Sequence, residues 1–222
     1  MIKVHRFIGT FDLTSQPVVI TDAELVHRLG RVLRLQLGEP ITLCDGQGAE
    51  VHGVIESIDR HKMVVHVLER ALSVAESPIK LTLYLALIKR EAFELAVQKA
   101  TEVGVTEIVP IMTERTSKTT LNLERLRLIV REAAEQSGRG YVPSVQVPLM
   151  FDEACKQAKT SGGEVFLFDT SSLAETASVG IGTLRRCAFI GPEGGWTLEE
   201  RLLAKTSGFA IVKLGAYTLR AE

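Results

Sequence analysis

The spacing of hydrophobic residues along the chain changes near residue 73. Before that point, short apolar or alternating segments recur between turn signals, a pattern typical of a small β-barrel. The predicted strands lie at residues 18–20, 41–43, 51–55 and 63–68. The same region predicts one helical turn over residues 22–29, with Thr21 as its N-cap. We therefore expect a first domain over residues 1–72, followed by a proline-containing linker at 73–78.

Beyond the linker, strands and helices alternate. Apolar strands are predicted at residues 81–87, 108–112, 165–168, 187–190 and 210–214. Two helices are predicted, each ended by a glycine: residues 91–103 before Gly104 and residues 123–137 before Gly138. Their inward stripes are Phe93, Ala96, Val97, Ala100 and Val103 in the first, and Leu126, Ile129, Val130, Ala133 and Ala134 in the second. A third helix begins at the capping box Thr197–Glu200 and ends at Gly208. This alternation predicts a mostly parallel α/β domain over residues 73–222.

Composition narrows the function classes. A length of 222 residues suits two domains, and a hydrophobic content of 45% supports a packed core. No apolar run approaches the roughly 18 residues that span a bilayer, and the N-terminus lacks a signal-peptide pattern, so we expect a cytoplasmic protein. The cysteines, Cys44, Cys155 and Cys187, are too far apart for a metal motif, and we expect all three to be buried and no metal to be bound.

The most informative chemical motif is Gly191-Pro192-Glu193-Gly194-Gly195, between a predicted strand and a capped helix. Ligands of open α/β sheets bind at the carboxyl ends of strands, and glycines let a ligand approach the backbone. The motif matches neither a P-loop nor G-x-G-x-x-G, and Glu193 would repel a phosphate. It suits a ligand read by backbone groups, such as an adenine ring, although an ordinary tight turn fits as well. Gly215, after the last predicted strand, could line the same pocket.

A basic cluster in the first domain is the second candidate site. The formal net charge is −1, so any RNA binding must come from a local patch. Arg28, Arg31 and Arg34 lie three residues apart, which would place them on one face of a helix or turn. The hypothesis is a surface that follows RNA phosphates; the alternative is a solvated face. The proposed RNA-binding residues are Arg6, His27, Arg28, Arg31 and Arg34, extended in the second domain by Arg115, Lys118 and Arg139.

Taken together, the motifs resemble the RsmE family of 16S ribosomal RNA uridine N3-methyltransferases, in the SPOUT (α/β-knot) superfamily. The resemblance covers nearly the whole chain. It rests on the order and spacing of residues 27–34, 99–105, 132–143, 190–195 and 214–222. It implies an N-terminal PUA-like β-barrel, a C-terminal SPOUT domain with a trefoil knot, S-adenosylmethionine as cofactor, 16S rRNA in the 30S subunit as substrate, and a homodimer.

The resemblance also implies roles for individual residues. The cofactor-binding residues would be Phe168, Asp169, Ile190, Gly191, Pro192, Glu193, Gly194, Gly195, Leu214, Gly215, Leu219 and Arg220. Methylation at N3 requires loss of the N3 proton, and a nearby cation would favour the anionic base. Arg220 is the first candidate for that catalytic role and Arg6 the second; alternatively, both hold phosphates.

The end of the chain departs from the family pattern. That pattern continues past Arg220-Ala221-Glu222 into Thr-Ala and a final helix, so we expect either a trimmed sequence or a knot without its last segment.

The residues also allow other functions. These are methylation of tRNA or of a ribose 2′-hydroxyl by another SPOUT enzyme, RNA binding without catalysis, and a nucleotide-dependent metabolic activity suggested only by the glycine motif.

Overall fold

The computed structural model describes residues 4–73, 76–116, 120–171, 175–176, 184–214 and 221. The chain divides into two compact units. The first comprises residues 1–76 with 134–142, and the second comprises residues 77–133 with 143–222. The predicted domain boundary after residue 72 stays a prediction.

The first unit is built on one curled five-stranded sheet. Its strands are β1 (His5–Ile8), β2 (Val18–Ile20), β3 (Pro40–Cys44), β4 (Ala49–Ile58) and β5 (Met63–Leu72). The order is β1-β3-β4-β5-β2, with β1 parallel to β3 and the other pairs antiparallel. Register shifts in the β4–β5 pair increase the local twist, because a bulge bends its strand. The four predicted strands are confirmed, whereas β1 was not predicted.

A short helix connects β2 and β3. Helix α1 (Ala23–His27) continues directly into a π-helical turn, Arg28–Val32. The N-cap prediction of Thr21 was wrong: Asp22 is the cap, since it is extended and its carboxylate accepts a hydrogen bond from the Leu25 amide at 2.8 Å. Val26 and Leu29 point into the core, which anchors the helix on the sheet.

The second unit is a parallel α/β sheet. Its strands are β6 (Lys80–Ala86), β7 (Glu107–Met112), β8 (Ser144–Val145), β9 (Leu149–Met150), β10 (Glu164–Phe168), β11 (Glu175–Thr176), β12 (Arg185–Ile190) and β13 (Ala210–Lys213). Its helices are α2 (Arg90–Glu102), α3 (Leu123–Ser137, whose last turn clusters with the first unit), α4 (Phe151–Thr160) and α5 (Leu198–Thr206). The strand order is β11-β13-β10-β12-β6-β7-β8, with β9 also on β7, and each of these pairs is parallel.

Most predicted elements of the second unit are confirmed. The five predicted strands and three predicted helices are present, and the predicted inward stripe of α3 is buried in full. Two details were wrong or missing. Val103 was assigned to the buried stripe of α2, but it caps that helix and is 79% exposed, while Thr101 is buried instead. Helix α4 was not predicted, although its buried side chains repeat at helical spacing: Phe151, Ala154, Cys155 and Ala158.

The predicted fold class is confirmed as a mixed α/β protein with an N-terminal curled β-sheet and a C-terminal parallel sheet. The predicted trefoil knot involves residues 215–220, which lie outside the described residues, and it stays a prediction. The three cysteines are buried, as predicted. Burial raises the pKa of the Cys44 thiol to about 11 and that of Cys155 to about 12, which fits small apolar residues without thiolate chemistry.

Candidate functional site

The carboxyl ends of the parallel strands meet at one edge of the sheet in the second unit. Strand β12 lies between β10 and β6, so the glycine motif that follows Ile190 begins in the middle of this edge. Phe168 ends β10 on one side, and Leu214 follows β13, the next strand beyond β10. Ligands of open α/β sheets bind at this edge. The fold therefore brings the described part of the predicted cofactor loops together.

The three glycines of the motif do three different things. A Cβ atom at Gly191 would lie 2.9 Å from the indole of Trp196, so this position must be small for packing. Gly195 has a φ of +67°, a left-handed conformation, and its amide donates to the carbonyl of Pro192 at 2.8 Å. Gly194 is exposed, and a Cβ there would meet only the Arg115 side chain, at 3.4 Å. Gly194 is the most exposed of the three, and its carbonyl accepts a hydrogen bond from Arg115 at 2.7 Å.

Trp196 fastens this loop to the neighbouring strand. Its side chain is 1% exposed and packs against Phe151, with ring centroids 5.1 Å apart. Its indole Nε1 donates a hydrogen bond to the carbonyl of Phe168, at the end of β10, at 2.9 Å. Sequence reasoning did not single out Trp196. The available signal was that it is the one tryptophan of the chain and directly follows the glycines.

Asp169 directly follows β10 and accepts several hydrogen bonds. Arg201, on α5, donates to its carboxylate at 2.7 Å through Nε, and the Thr170 amide and Ser171 hydroxyl also donate to it. Burial opposes ionisation of Asp169, but the Arg201, Ser171 and Thr170 hydrogen bonds outweigh it and hold the carboxyl pKa below its ordinary value. Asp169 is therefore a carboxylate at neutral pH, and sequence reasoning missed its partner Arg201.

The predicted basic surface of the first unit separates into paired and unpaired arginines. Arg28 donates to the buried carboxylate of Glu135 at 3.1 Å and lies 5.7 Å from the centre of the Phe7 ring. Arg31 and Arg34 are exposed and form no ion pair with any described residue. The three arginines do not share one helical face as expected, because the π-helical turn ends at Val32 and Arg34 adopts a left-handed φ of 54°.

Two other predicted RNA-binding residues are held inside the first unit. Arg6 pairs with Glu50 at 2.6 Å, and its side chain is 19% exposed. Arg139 makes a two-point contact with Glu76, at 2.6 and 2.8 Å, and its side chain is 9% exposed. Both guanidinium groups are thus committed to structural contacts. Neither is a group simply open to solvent.

Comparison with known proteins identifies the family. Residues 75–222 match a family model described as an RNA methyltransferase domain, and residues 20–68 match one described as an RNA methyltransferase PUA domain. A ribosomal RNA small subunit methyltransferase E from Synechocystis is 37% identical over 213 residues, which cover 92% of this chain and 68% of that protein. This chain belongs to the ribosomal RNA small subunit methyltransferase E family. The predicted family is confirmed.

Solved structures of methyltransferases agree in fold. A methyltransferase E from Neisseria gonorrhoeae, bound to S-adenosyl methionine, is 30% identical with a TM-score of 0.89, and the match covers 99% of this chain and 92% of that one. A putative methyltransferase from Legionella pneumophila in complex with the same cofactor is 27% identical with a TM-score of 0.84, over 98% and 91% of the two chains. The predicted cofactor is thereby supported at the level of the methyltransferase E family.

The family assignment does not by itself test the individual site residues. Among the predicted cofactor residues, Gly215, Leu219 and Arg220 lie outside the described residues, as does Lys118 of the RNA set. Arg115, predicted to bind RNA, lies against the glycine loop, where its Nη1 donates to the Gly194 carbonyl at 2.7 Å. No group of three His, Cys, Asp or Glu residues arranged to hold a metal occurs in the described ranges. In those ranges no helix is both long and apolar enough to cross a membrane.

The Asp169–Arg201 contact predicts a pH-dependent stability. The pKa of Asp169 is lowered in the folded state, so its stabilisation is present above the unfolded pKa of about 3.9 and is lost as the pH falls through the folded pKa. Asp169→Asn should lower the unfolding free energy by about 1–3 kcal/mol at neutral pH, since Arg201 loses a buried charged partner. Thermal melts from neutral to acid pH should show this difference shrinking below about pH 4. Asp152→Asn, an exposed carboxylate paired with Lys156, is the control and should change little at any pH. A constant difference across the pH range would contradict the assignment.

Proposed function

We propose that this protein transfers a methyl group from S-adenosylmethionine to N3 of a specific uridine in the 16S ribosomal RNA of the small subunit. The observation that carries the proposal is the exposed Gly194 backbone in the middle of the carboxyl edge of the parallel sheet. Its support is membership of the ribosomal RNA small subunit methyltransferase E family and the likeness to a relative bound to S-adenosyl methionine.

The residues at this edge fit the cofactor. An adenosine ligand needs backbone donors and acceptors within reach and a wall that can exclude water. Gly194 supplies exposed backbone, and the buried Trp196 ties the loop to the end of β10. The residues proposed to hold the cofactor are Phe168, Asp169, Ile190, Gly191, Pro192, Glu193, Gly194, Gly195, Leu214, Gly215, Leu219 and Arg220.

When bound, S-adenosylmethionine supplies an electrophilic methyl group on a sulfonium. The protein's own task is to place uridine N3 in line with that methyl group, which is a proximity effect. A cation beside the base favours the N3 anion that attacks. We assign this role first to Arg220. Arg6 stands second, and its guanidinium is already engaged by the carboxylate of Glu50 at 2.6 Å.

For the RNA, we propose that Arg31 and Arg34 make the principal phosphate contacts in the first unit, with the exposed His27 beside them. Their guanidinium groups are exposed and unpaired among the described residues, and phosphate binding needs such groups. Arg28 and Arg139 contribute by holding the structure around them, since both are engaged by carboxylates. Arg115 and Lys118 extend the proposed RNA surface in the second unit.

The biological setting is also part of the proposal. A methyltransferase of small-subunit RNA finds its substrate where ribosomes assemble, and we propose a cytoplasmic enzyme that acts on the 30S subunit. We propose that it works as a homodimer, as the family resemblance implies. Closed two-fold dimers are the commonest assembly of soluble proteins.

A methylation assay tests the proposal directly. Purified protein should transfer labelled methyl groups from S-adenosylmethionine to 30S subunits from a strain that lacks this gene, and mass spectrometry of the nucleosides should identify 3-methyluridine. Naked 16S rRNA and tRNA are the comparison substrates. A 2′-O-methylated nucleoside, or methylation of tRNA alone, would instead assign another RNA methyltransferase activity. RNA binding without cofactor binding would leave only a non-catalytic RNA-binding role.

A further inference from the structure

The turn that follows β7 is attached to the glycine loop, although the two strands they extend are not neighbours. Strand β6 lies between β7 and β12, so the two strand ends are about 10 Å apart. Two hydrogen bonds cross this distance, from Arg115 to Gly194 and from the Glu114 amide to Glu200. They join residues that are 79 and 86 positions apart in sequence.

Arg115 holds the exposed peptide of the loop. Its Nη1 donates to the Gly194 carbonyl at 2.7 Å, and its Cβ and Cδ would lie 3.4 Å from a Cβ atom built on Gly194. The turn that carries it is itself fixed, because the Thr116 hydroxyl accepts from the Thr113 amide at 2.9 Å. The side chain therefore reaches the loop from an ordered base and sets the direction of the Gly194 carbonyl.

Glu200 fixes the other end of the loop. It is buried, and each of its carboxylate oxygens has a separate backbone donor: Oε1 accepts from Glu114 at 2.9 Å, and Oε2 accepts from Thr197 at 2.8 Å. The Thr197 hydroxyl accepts in turn from the Glu200 amide, which completes a capping box on α5. A capping box needs only one of these oxygens, so the second is available to hold the β7 turn.

We propose that Arg115 and Glu200 are positioning residues of the cofactor site: together they attach the turn after β7 to the glycine loop and fix the Gly194–Gly195 peptide for ligand binding. This inference rests on the proposed function, since the ligand is S-adenosylmethionine. It gives Arg115 a role on the cofactor side of the reaction in addition to its predicted contact with RNA. Neither residue touches the reacting atoms.

Glu200→Gln is the sharper of two tests. A glutamine has one acceptor oxygen and an NH₂ group, so one of the two backbone amides would face a donor and lose its bond. We expect calorimetry without RNA to show S-adenosylmethionine affinity weakened by about tenfold or more. Emission of the one tryptophan, Trp196, should shift at temperatures where the variant is fully folded. Glu199→Gln, one residue earlier and exposed, is the matched control and should leave both readouts unchanged.

Arg115→Met is the second test, and it remains informative if Glu200→Gln does not fold. Methionine keeps the aliphatic contact with Gly194 and removes the hydrogen bond. We expect a higher KM for S-adenosylmethionine with the KM for RNA changed less. Arg127→Met, an exposed arginine on α3 paired with Glu124, is the control. Unchanged cofactor affinity in Arg115→Met, whether or not Glu200→Gln folds, or a loss confined to RNA binding, would overturn the inference. Failure of the wild-type protein to bind S-adenosylmethionine would instead refute the proposed function.

Discussion

Replacing Trp196 by alanine should abolish measurable S-adenosylmethionine binding and lower the unfolding free energy by about 3–5 kcal/mol. The stability loss follows from burial: Trp196 is fully enclosed and packs against Phe151, which in turn packs edge-on against Phe189. The binding loss follows from position. Trp196 directly follows Gly195, and its indole is the link from the loop to the end of β10. Chemical denaturation and calorimetry measure the two effects.

Trp196→Phe tests the hydrogen bond to Phe168 separately from the burial of the aromatic ring. Phenylalanine keeps an aromatic ring in the core but cannot donate to the Phe168 carbonyl, so we expect about 1–3 kcal/mol of lost stability and a clear loss of cofactor affinity. Phe209→Leu, which changes an aromatic residue of the same core away from the glycine loop, is the control for stability alone. Wild-type cofactor affinity in a folded Trp196→Ala variant would show that the loop does not depend on this anchor.

Local sequence patterns account for most of the fold. Helix α3 was predicted with its full buried stripe because Leu126, Ile129 and Val130 repeat at the spacing of one helical face. Gly104 marks the end of α2 because its φ of +99° suits glycine. The errors fall where a pattern is short or ambiguous. Val103 continues the apolar period of α2 but lies past its last turn, and α4 carries only ten residues of amphipathic sequence.

The candidate site was less predictable, because its supporting contacts join distant parts of the chain. The glycine motif itself was visible as a loop after a buried strand. The sequence could not indicate that Arg115 reaches Gly194, or that Arg201 pairs with Asp169, since those contacts depend on which strands are neighbours in the sheet. The glycines were attributed to ligand approach, yet Gly191 is required by the packing of Trp196. The spacing of hydrophobic residues indicates the face of an element on which a residue lies. The hydrogen-bond or ion-pair partner of that residue depends on the order of the strands in the sheet.

The arginines of the basic cluster differ in their ion-pair partners, which their spacing did not indicate. A spacing of three residues predicted one arginine face, but the structure gives Arg28 a carboxylate partner in Glu135, which also accepts from the Ile8 amide at 2.9 Å. Because the Arg28 guanidinium is already paired with Glu135 and lies over the Phe7 ring, we expect it to contribute little to phosphate binding. Arg31 and Arg34 are exposed and free of such pairing among the described residues. Phosphate binding should therefore depend on these two and much less on Arg28.

The double variant Arg31→Ala, Arg34→Ala is expected to weaken RNA binding by about tenfold or more and to reduce the log–log salt slope by about 1.4–1.8, or 0.7–0.9 for each lost phosphate contact. Filter binding of 16S rRNA across a salt series measures both quantities. S-adenosylmethionine affinity should not change, because the glycine loop lies in the other unit. Equal affinity and slope in the variant and the wild type would refute the assignment.

Two single variants test whether the change in salt slope is specific to Arg31 and Arg34. Arg60→Ala removes an exposed arginine of the same unit in the turn between β4 and β5, and it should leave the slope unchanged if binding is confined to the predicted surface. Arg28→Met removes the partner of the buried Glu135, so it should lower the melting temperature while its salt slope stays close to that of the wild type. A general charge effect would reduce the slope in proportion to the charges removed, twice as much in the double variant as in either single variant. A phosphate-binding surface limited to Arg31 and Arg34 predicts a large slope change in the double variant, none in Arg60→Ala, and a loss of stability in Arg28→Met.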